Sequence, residues 1–177
     1  PNLGSVNFSI CAIGDTSYDE FCKAGLDWDE KFKQLGATRV HDIQLCDVDY
    51  EPEWKKWANS ALEAMSGLDT GTITVDASEV ASSSAPQVAS SAPAVSGAAS
   101  DELTALLSGD RSLAILFGSQ TGNAAGLAEK TAKLAANYGL VPTVYDMDGF
   151  DTAALPNHKR TLIITSTWGE GEMPDNA

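Results

Sequence analysis

LAILFGSQTGNAAGLAEKTAKLA, residues 113–135, begins as an apolar run, turns through two glycines and continues at helical spacing. Leu113 to Phe117 has the pattern of a strand buried on both faces of a parallel sheet. Gly118 to Asn123 is a loop. Ala124 to about Tyr138 is a helix, with Leu127, Thr131 and Leu134 on one face and Gly139 past its end. A strand that runs straight into a helix N-terminus offers unpaired N–H groups and the positive end of the helix dipole, which together favour an anion. Gly118 and Gly122 let the backbone approach a ligand, and Ser119, Thr121 and Asn123 add neutral donors. Neither GxxxxGK[ST] nor GxGxxG is present, so an NTPase phosphate loop and a dinucleotide fingerprint are both unsupported. A cradle without lysine suits a terminal monophosphate held by hydroxyls and amides.

The pattern extends outward in both directions. Downstream come a strand over Thr143–Met147, a short helix over Thr152–Leu155 and a strand over Thr161–Thr165, which leads into STWGEGE at 166–172. Upstream, Val6 to Ile13 reads as a buried strand closed by Gly14-Asp15. A helix follows from about Tyr18, its apolar positions Phe21, Gly25, Trp28, Phe32 and Leu35 falling in steps of four and three, and Gly36 ends it. Thr38 to Leu45 is another strand, followed by the acidic loop Asp47–Glu51. Pro52 opens a further helix, with Trp54, Trp57, Ala58, Ala61, Leu62 and Met65 as its core stripe. Strands alternating with helices predict an α/β fold, a parallel sheet with helices on both faces. Residues 66–108 differ. They are rich in Ala, Ser, Val and Thr, contain Pro86 and Pro93, and lack periodicity as far as Ser100. That composition predicts a disordered linker, with a short helix over Asp101–Leu107 capped by Ser100. The chain thus divides into 1–65, a linker over 66–108, and 109–177. It opens on Pro1 without a methionine and stops at Ala177, where a helix would be starting, so a fragment of a longer polypeptide is expected.

The chain has 177 residues and a formal net charge of -14, from 25 acidic and 11 basic side chains. Such a charge repels nucleic acid and anionic membrane and suits a partner with a basic patch; solubility alone is the plainer reading. No apolar run has the length of a membrane span, and no signal-peptide pattern is seen. Cys11, Cys22 and Cys46 form no CxxC and no disulfide framework, which fits reduced thiols in the cytoplasm. Neither His41 nor His158 has a ligand partner in sequence. No triad or carboxylate pair is arranged for catalysis, and no metal site is expected.

Three stretches carry a resemblance. FGSQTGNA (117–124) resembles the FMN-phosphate loop of the flavodoxin domain in diflavin reductases, a family that includes the sulfite reductase flavoprotein, the cytochrome reductases and the nitric oxide synthase reductase domain. TSTWGEGEMP (165–174) resembles the family's second flavin loop, and IGDTSYDEFC (13–22) the third. The phrases GDTSY..FC, LGATR and TSTWGEGE are nearest to the NADPH-sulfite reductase flavoprotein, or alpha, subunit. The similar regions cover everything outside the linker.

The resemblance implies a flavodoxin-like, doubly wound, five-stranded parallel sheet of order 2-1-3-4-5, with its halves in permuted chain order. In the family the phosphate loop comes first; here the GDTSY half does. Two readings follow: the junction of two tandem flavodoxin-like domains, or one circularly permuted domain. The family's helix between the second and third motifs has no counterpart here, which favours the tandem junction. Whether the two halves share one FMN is left open by the order.

By the same resemblance, Ser119, Gln120, Thr121, Gly122, Asn123 and Ala124 hold the FMN phosphate. Ser166, Thr167, Trp168 and Gly169 form the second loop. Ile13, Gly14, Asp15, Thr16, Ser17, Tyr18, Asp19, Glu20, Phe21 and Cys22 form the third, with Asp47 beside it. Trp168 and Tyr18 flank the isoalloxazine ring, and Gly169 turns its carbonyl toward N5. In the family, hydride passes from NADPH to FAD on a neighbouring module, in the same or a partner chain. FMN then passes electrons singly to a haem-type acceptor with a basic surface, such as the sulfite reductase hemoprotein. The acids Asp15, Asp19, Glu20, Asp47, Asp49, Glu51, Glu170, Glu172 and Asp175 all follow strand C-termini and are expected to ring the flavin edge. The competing functions are a free-standing flavodoxin-type carrier and a flavin-free remnant domain.

Overall fold

The computed structural model describes residues 2–69, 110–119, 121–167 and 171–175. The expected linker beyond Asp69, the short helix expected over Asp101–Leu107, and Gln120, Trp168, Gly169 and Glu170 lie outside the described residues. In chain order the elements are β1 (Asn7–Ile13), α1 (Lys23–Gln34), β2 (Thr38–Arg39), β3 (Gln44–Cys46), α2 (Glu51–Ser66), β4 (Ser112–Gly118), α3 (Asn123–Ala135), β5 (Val141–Asp146) and β6 (Arg160–Ser166). Short 3-10 segments cover Gly67–Asp69, Ala136–Tyr138 and Thr152–Asn157. Pro1–Gly67 and Arg111–Ala177 form one compact unit, which holds every strand and α-helix just named, and Leu68–Asp110 is a second.

Among the described residues the strands form a single parallel sheet of order β2-β1-β6-β4-β5, with β3 also paired to β1. Counted from β4, the strand that leads into FGSQTGNA, this is the expected order 2-1-3-4-5, the last position being shared by β2 and β3. The two chain segments meet at the β1–β6 ladder, which runs in register from Asn7↔Arg160 to Ile13↔Ser166.

Two elements differ from expectation. The strand expected over Thr38–Leu45 is broken into β2 and β3. After Val40, whose N–H donates to Phe8 O at 3.0 Å, side chains replace the ladder: Ser9 Oγ donates to His41 O at 3.2 Å, and Arg39 reaches the Asp42 carboxylate at 3.3 Å. The helix expected from Tyr18 begins at Lys23 instead. Ser17 N–H donates to Asp15 Oδ1 at 2.8 Å and Tyr18 N–H to Asp15 O at 3.1 Å, which makes a turn. Cys22 then sits at φ 55°, a conformation that excludes helix until the next residue.

The core lies on both faces of the sheet. On β1, Phe8 and Ile10 pack with Phe32 of α1, Leu116, Leu155 and Ile163, while Cys11 and Ile13 point to the opposite face, against α2 and α3. The tryptophans of α2 are core, as their spacing implies. Their polar edges are satisfied, Trp57 Nε1 donating to Ser9 Oγ at 2.8 Å and Trp54 Nε1 to Thr131 Oγ1 at 3.0 Å. Two arginines close the C-terminus of α2, where a cation complements the helix dipole: Arg160 Nε donates to Met65 O at 2.9 Å and Arg111 to Ser66 O at 3.1 Å.

Gly25 sets the distance between α1 and the sheet. A Cβ there would lie 2.3 Å from Ala12 Cβ and 3.3 Å from Ala12 Cα. Gly25→Ala gains helix propensity worth about 1 kcal/mol, yet the overpacking should outweigh it, giving a net destabilisation of about 1–3 kcal/mol in urea unfolding. The double variant Gly25→Ala/Ala12→Gly should recover part of that loss. A Gly25→Ala chain as stable as wild type would show that α1 does not sit this close to β1.

Candidate functional site

Parallel strands direct their C-terminal loops to one edge, and here those loops enclose a cleft of about 460 Å³. Thr121 and Asn123 come from the loop after β4, and Ser166 and Thr167 from the end of β6. Ile13, Gly14, Asp15, Tyr18, Glu20, Phe21 and Cys22 come from the loop after β1. Val48 and Tyr50 come from the loop after β3. Residues of all three sequence motifs therefore line one cleft, although Ile13 and Thr167 are more than a hundred and fifty positions apart in the chain.

Each loop is fixed locally. In the first, Gly122 takes φ 84° at the N-cap of α3, and among the described residues no atom beyond its chain neighbours lies within 4 Å of where a Cβ would stand. Ser119 Oγ accepts from Ala124 N–H at 3.1 Å, and Thr121, Gly122 and Asn123 are exposed around the helix start. Ala124 itself is buried in the core, so only its backbone belongs to the loop. In the second loop, Thr167 N–H donates to Ile13 O at 2.8 Å and Thr167 Oγ1 accepts from Ala24 N–H at 3.2 Å, capping the first turn of α1. Further along, Gly171 takes φ 102° against Glu20, whose Cβ lies 2.6 Å from where a Gly171 Cβ would be. In the third loop, a Cβ at Gly14 would lie 2.8 Å from Cys22 N, so only glycine lets the chain double back there. Tyr18 is half exposed on the cleft wall, at 50%.

Of the remaining residues expected in the site, Thr16, Ser17, Asp19, Asp47, Ser119 and Gly122 stand behind or beside the lining. Gln120, Trp168 and Gly169 lie outside the described residues. Val48 and Tyr50 were not expected. The only sequence signal for them is their place directly after a strand C-terminus, in a loop that reads as a run of charge.

The electrostatics are one-sided. Asp19, Glu20, Asp49, Glu172 and Asp175 are exposed on this edge. Glu51 is instead paired with Lys130 of α3 at 2.7 Å. The Thr16 hydroxyl, and then the backbone N–H groups of Thr16 and Val48, hold the Asp47 carboxyl below its ordinary range. The three thiols are buried and free. Burial pushes Cys22 up to about 12, and the hydrogen bond shared by the Cys11 and Cys46 sulfurs, together with burial, raises Cys11 well above the ordinary thiol value. Cys11 and Cys22 therefore stay protonated and offer no nucleophile. Among the described residues no group of three or more His, Cys, Asp or Glu is placed to hold a metal ion, and no helix is long and apolar enough to cross a membrane.

The flavodoxin family profile matches residues 1–60 and 115–177, on either side of the expected linker. The chain belongs to the flavodoxin family. Its relatives include three sulfite reductase [NADPH] flavoprotein alpha-components. The protein of Bacillus subtilis (strain 168) is 40% identical over 123 residues, which is 70% of this chain and 17% of that protein. The protein of Shewanella oneidensis is 38% identical over 90 residues, covering 51% and 15%, and that of Buchnera aphidicola subsp. Acyrthosiphon pisum 39% over 69 residues, covering 39% and 12%. This flavodoxin-family chain matches less than a fifth of the length of each of these relatives.

The Asp47 bonds have a pH signature. Its folded pKa lies below the ordinary 3.8, so the stabilisation is fully present above that value and is lost as pH falls through the folded pKa. Glu51, lowered from 4.5 by Lys130, acts in the same direction. Thermal midpoints should therefore fall as the solution is acidified below about pH 4, and Asp47→Asn should flatten part of that slope. An unchanged slope in Asp47→Asn would show that the carboxylate bonds do not contribute.

Proposed function

We propose that this chain is the FMN-binding electron-transfer unit of an NADPH-dependent diflavin reductase of the sulfite reductase type. Segments 1–65 and 109–177 act in it as one flavin unit joined by 66–108. The observation that carries this reading is the meeting of all three loop motifs at one cleft, at the carboxyl ends of the strands and beside the N-terminus of α3. Its support is the family membership together with relatives named as sulfite reductase flavoproteins.

The residues suit such a group. Neutral hydroxyls and amides at 119–124, open space beside Gly122 and the positive end of a helix fit a monophosphate. A half-exposed tyrosine on the wall fits the face of an isoalloxazine ring, with aromatic stacking worth roughly 0.5–1.5 kcal/mol beyond burial. Trp168 would take the opposite face, and Gly169 would present its carbonyl to the ring edge. When bound, FMN supplies the redox chemistry, taking electrons from an FAD/NADPH module and passing them on singly. The protein's part is to hold the phosphate, flank the ring and present an acidic edge to a basic haem-type acceptor in the cytoplasm. No side chain is required to transfer a proton or attack a substrate.

Thr121→Ala should weaken FMN binding by about 1.5–3 kcal/mol, roughly 10- to 150-fold in Kd, through loss of one hydrogen bond to a charged group. Riboflavin, which has no phosphate, should bind both chains equally. Equal losses for FMN and riboflavin would place the phosphate elsewhere.

The acidic edge is tested separately, with cytochrome c as the basic haem probe. Reduction by the photoreduced, FMN-loaded chain should slow as salt rises, since surface charges are screened over about 8–10 Å near physiological ionic strength. Asp19→Asn/Asp49→Asn should be slower at low salt and less salt-dependent, while Glu63→Gln, at the far end of α2, should match wild type. Stopped-flow slopes that are identical for all three would leave the edge as a solvated surface.

A further inference from the structure

The third loop leaves the sheet after Ile13, and Thr16, Ser17, Tyr18, Asp19 and Glu20 are all exposed. Its inner bonds are few. Within it, Asp15 makes the turn that carries Ser17 and Tyr18, and at its base Gly14 N–H donates to Cys46 O, the end of β3, at 2.8 Å. The turn itself is tied from outside by Asp47, the first residue after β3. Asp47 Oδ2 accepts from the Thr16 hydroxyl at 2.6 Å. Asp47 Oδ1 accepts from the Thr16 N–H at 3.1 Å and from the Val48 N–H at 2.8 Å. Three donors thus occupy one carboxylate, two of them from a residue 31 positions earlier in the chain.

We infer that Asp47 is a positioning residue, whose carboxylate clasps Thr16 and thereby holds Tyr18 on the wall of the cleft. Tyr18 is two residues from the clasp and within the same turn, its N–H on Asp15 O. Among the described residues, Thr16 carries the hydrogen bonds that tie the Asp15–Tyr18 turn to another strand's loop, and releasing it frees that side of the turn. The lowered pKa of Asp47 agrees, because its largest cause is the Thr16 hydroxyl. Asp47 therefore differs from Asp49 two residues on, whose side chain is exposed on the acidic edge. What Tyr18 holds rests on the flavin reading above; the clasp does not.

The test uses the full 177-residue chain, with Asp47→Ala, Thr16→Val, the double variant, Thr16→Ser, and Glu63→Gln as control. Without flavin, amide exchange by NMR reads the clasp. In Asp47→Ala the Thr16 and Val48 amides should exchange about tenfold faster or more, as expected for loss of a hydrogen bond to a charged group. Amides of the β1–β6 ladder should keep their wild-type rates. With flavin, Asp47→Ala should weaken FMN and riboflavin by the same factor and raise the emission of the bound flavin, since a displaced tyrosine no longer quenches it. Thr16→Ser should behave as wild type, and the double variant should be no worse than either single. A wild-type chain that bound neither flavin would overturn the proposed function while the exchange arm still decided the clasp. Unchanged Thr16 exchange in Asp47→Ala would overturn the clasp. So would ladder amides that speed up equally, because Asp47 would then be a general stability residue. Faster loop exchange with unchanged flavin affinity and emission would overturn its role in placing Tyr18.

Discussion

Seven consecutive residue pairs between β1 and β6 hold this molecule together. A parallel sheet must be covered on both faces, and neither chain segment can arrange that alone. The first contributes β1, β2 and β3 with α1 and α2; the second contributes β4, β5 and β6 with α3. β1 and β6 are buried along almost their whole length, which is the environment of central strands. Register is strongly fixed. A slip of one residue would turn Phe8 and Ile10 toward the tryptophans of α2 and carry Cys11 and Ile13 to the face of α1.

The same register builds the cleft. Ile13 and Ser166 end their strands side by side, and Thr167 continues the pairing one step further by donating to Ile13 O. The Thr167 hydroxyl then caps α1, so the second motif sets the start of the helix that follows the third. On the other side, Asp47 ties the loop after β3 to the loop after β1. The cleft is thus a consequence of strand pairing between segments that the chain keeps apart, and its loops need few contacts of their own.

Much of this was legible in the sequence, for identifiable reasons. Central strands read as continuous apolar runs, as Leu113–Phe117 and Thr161–Thr165 do, and the α2 stripe keeps helical spacing through two tryptophans. The loop over 118–123 is legible because strand, turn and helix start are contiguous. What failed depends on contacts between distant side chains. Nothing in the pattern of 38–45 announces that Ser9 and Asp42 will interrupt an edge strand. Phe21 fits the helical periodicity of α1, but the Asp15 turn and the left-handed Cys22 remove it from the helix and turn it to the cleft. Asp47 reads as one acid in an acidic run, and only geometry separates a clasp from a solvated charge.

The most direct measurement is the stoichiometry of FMN binding to the intact chain, by calorimetric titration with the chain's association state followed in parallel. If the two segments of each chain complete one cleft through the β1–β6 ladder, saturation comes at one FMN per monomeric chain. One FMN per two chains, with dimer formation, would mean that the halves pair between molecules. No binding at all would contradict a flavin cleft in this chain.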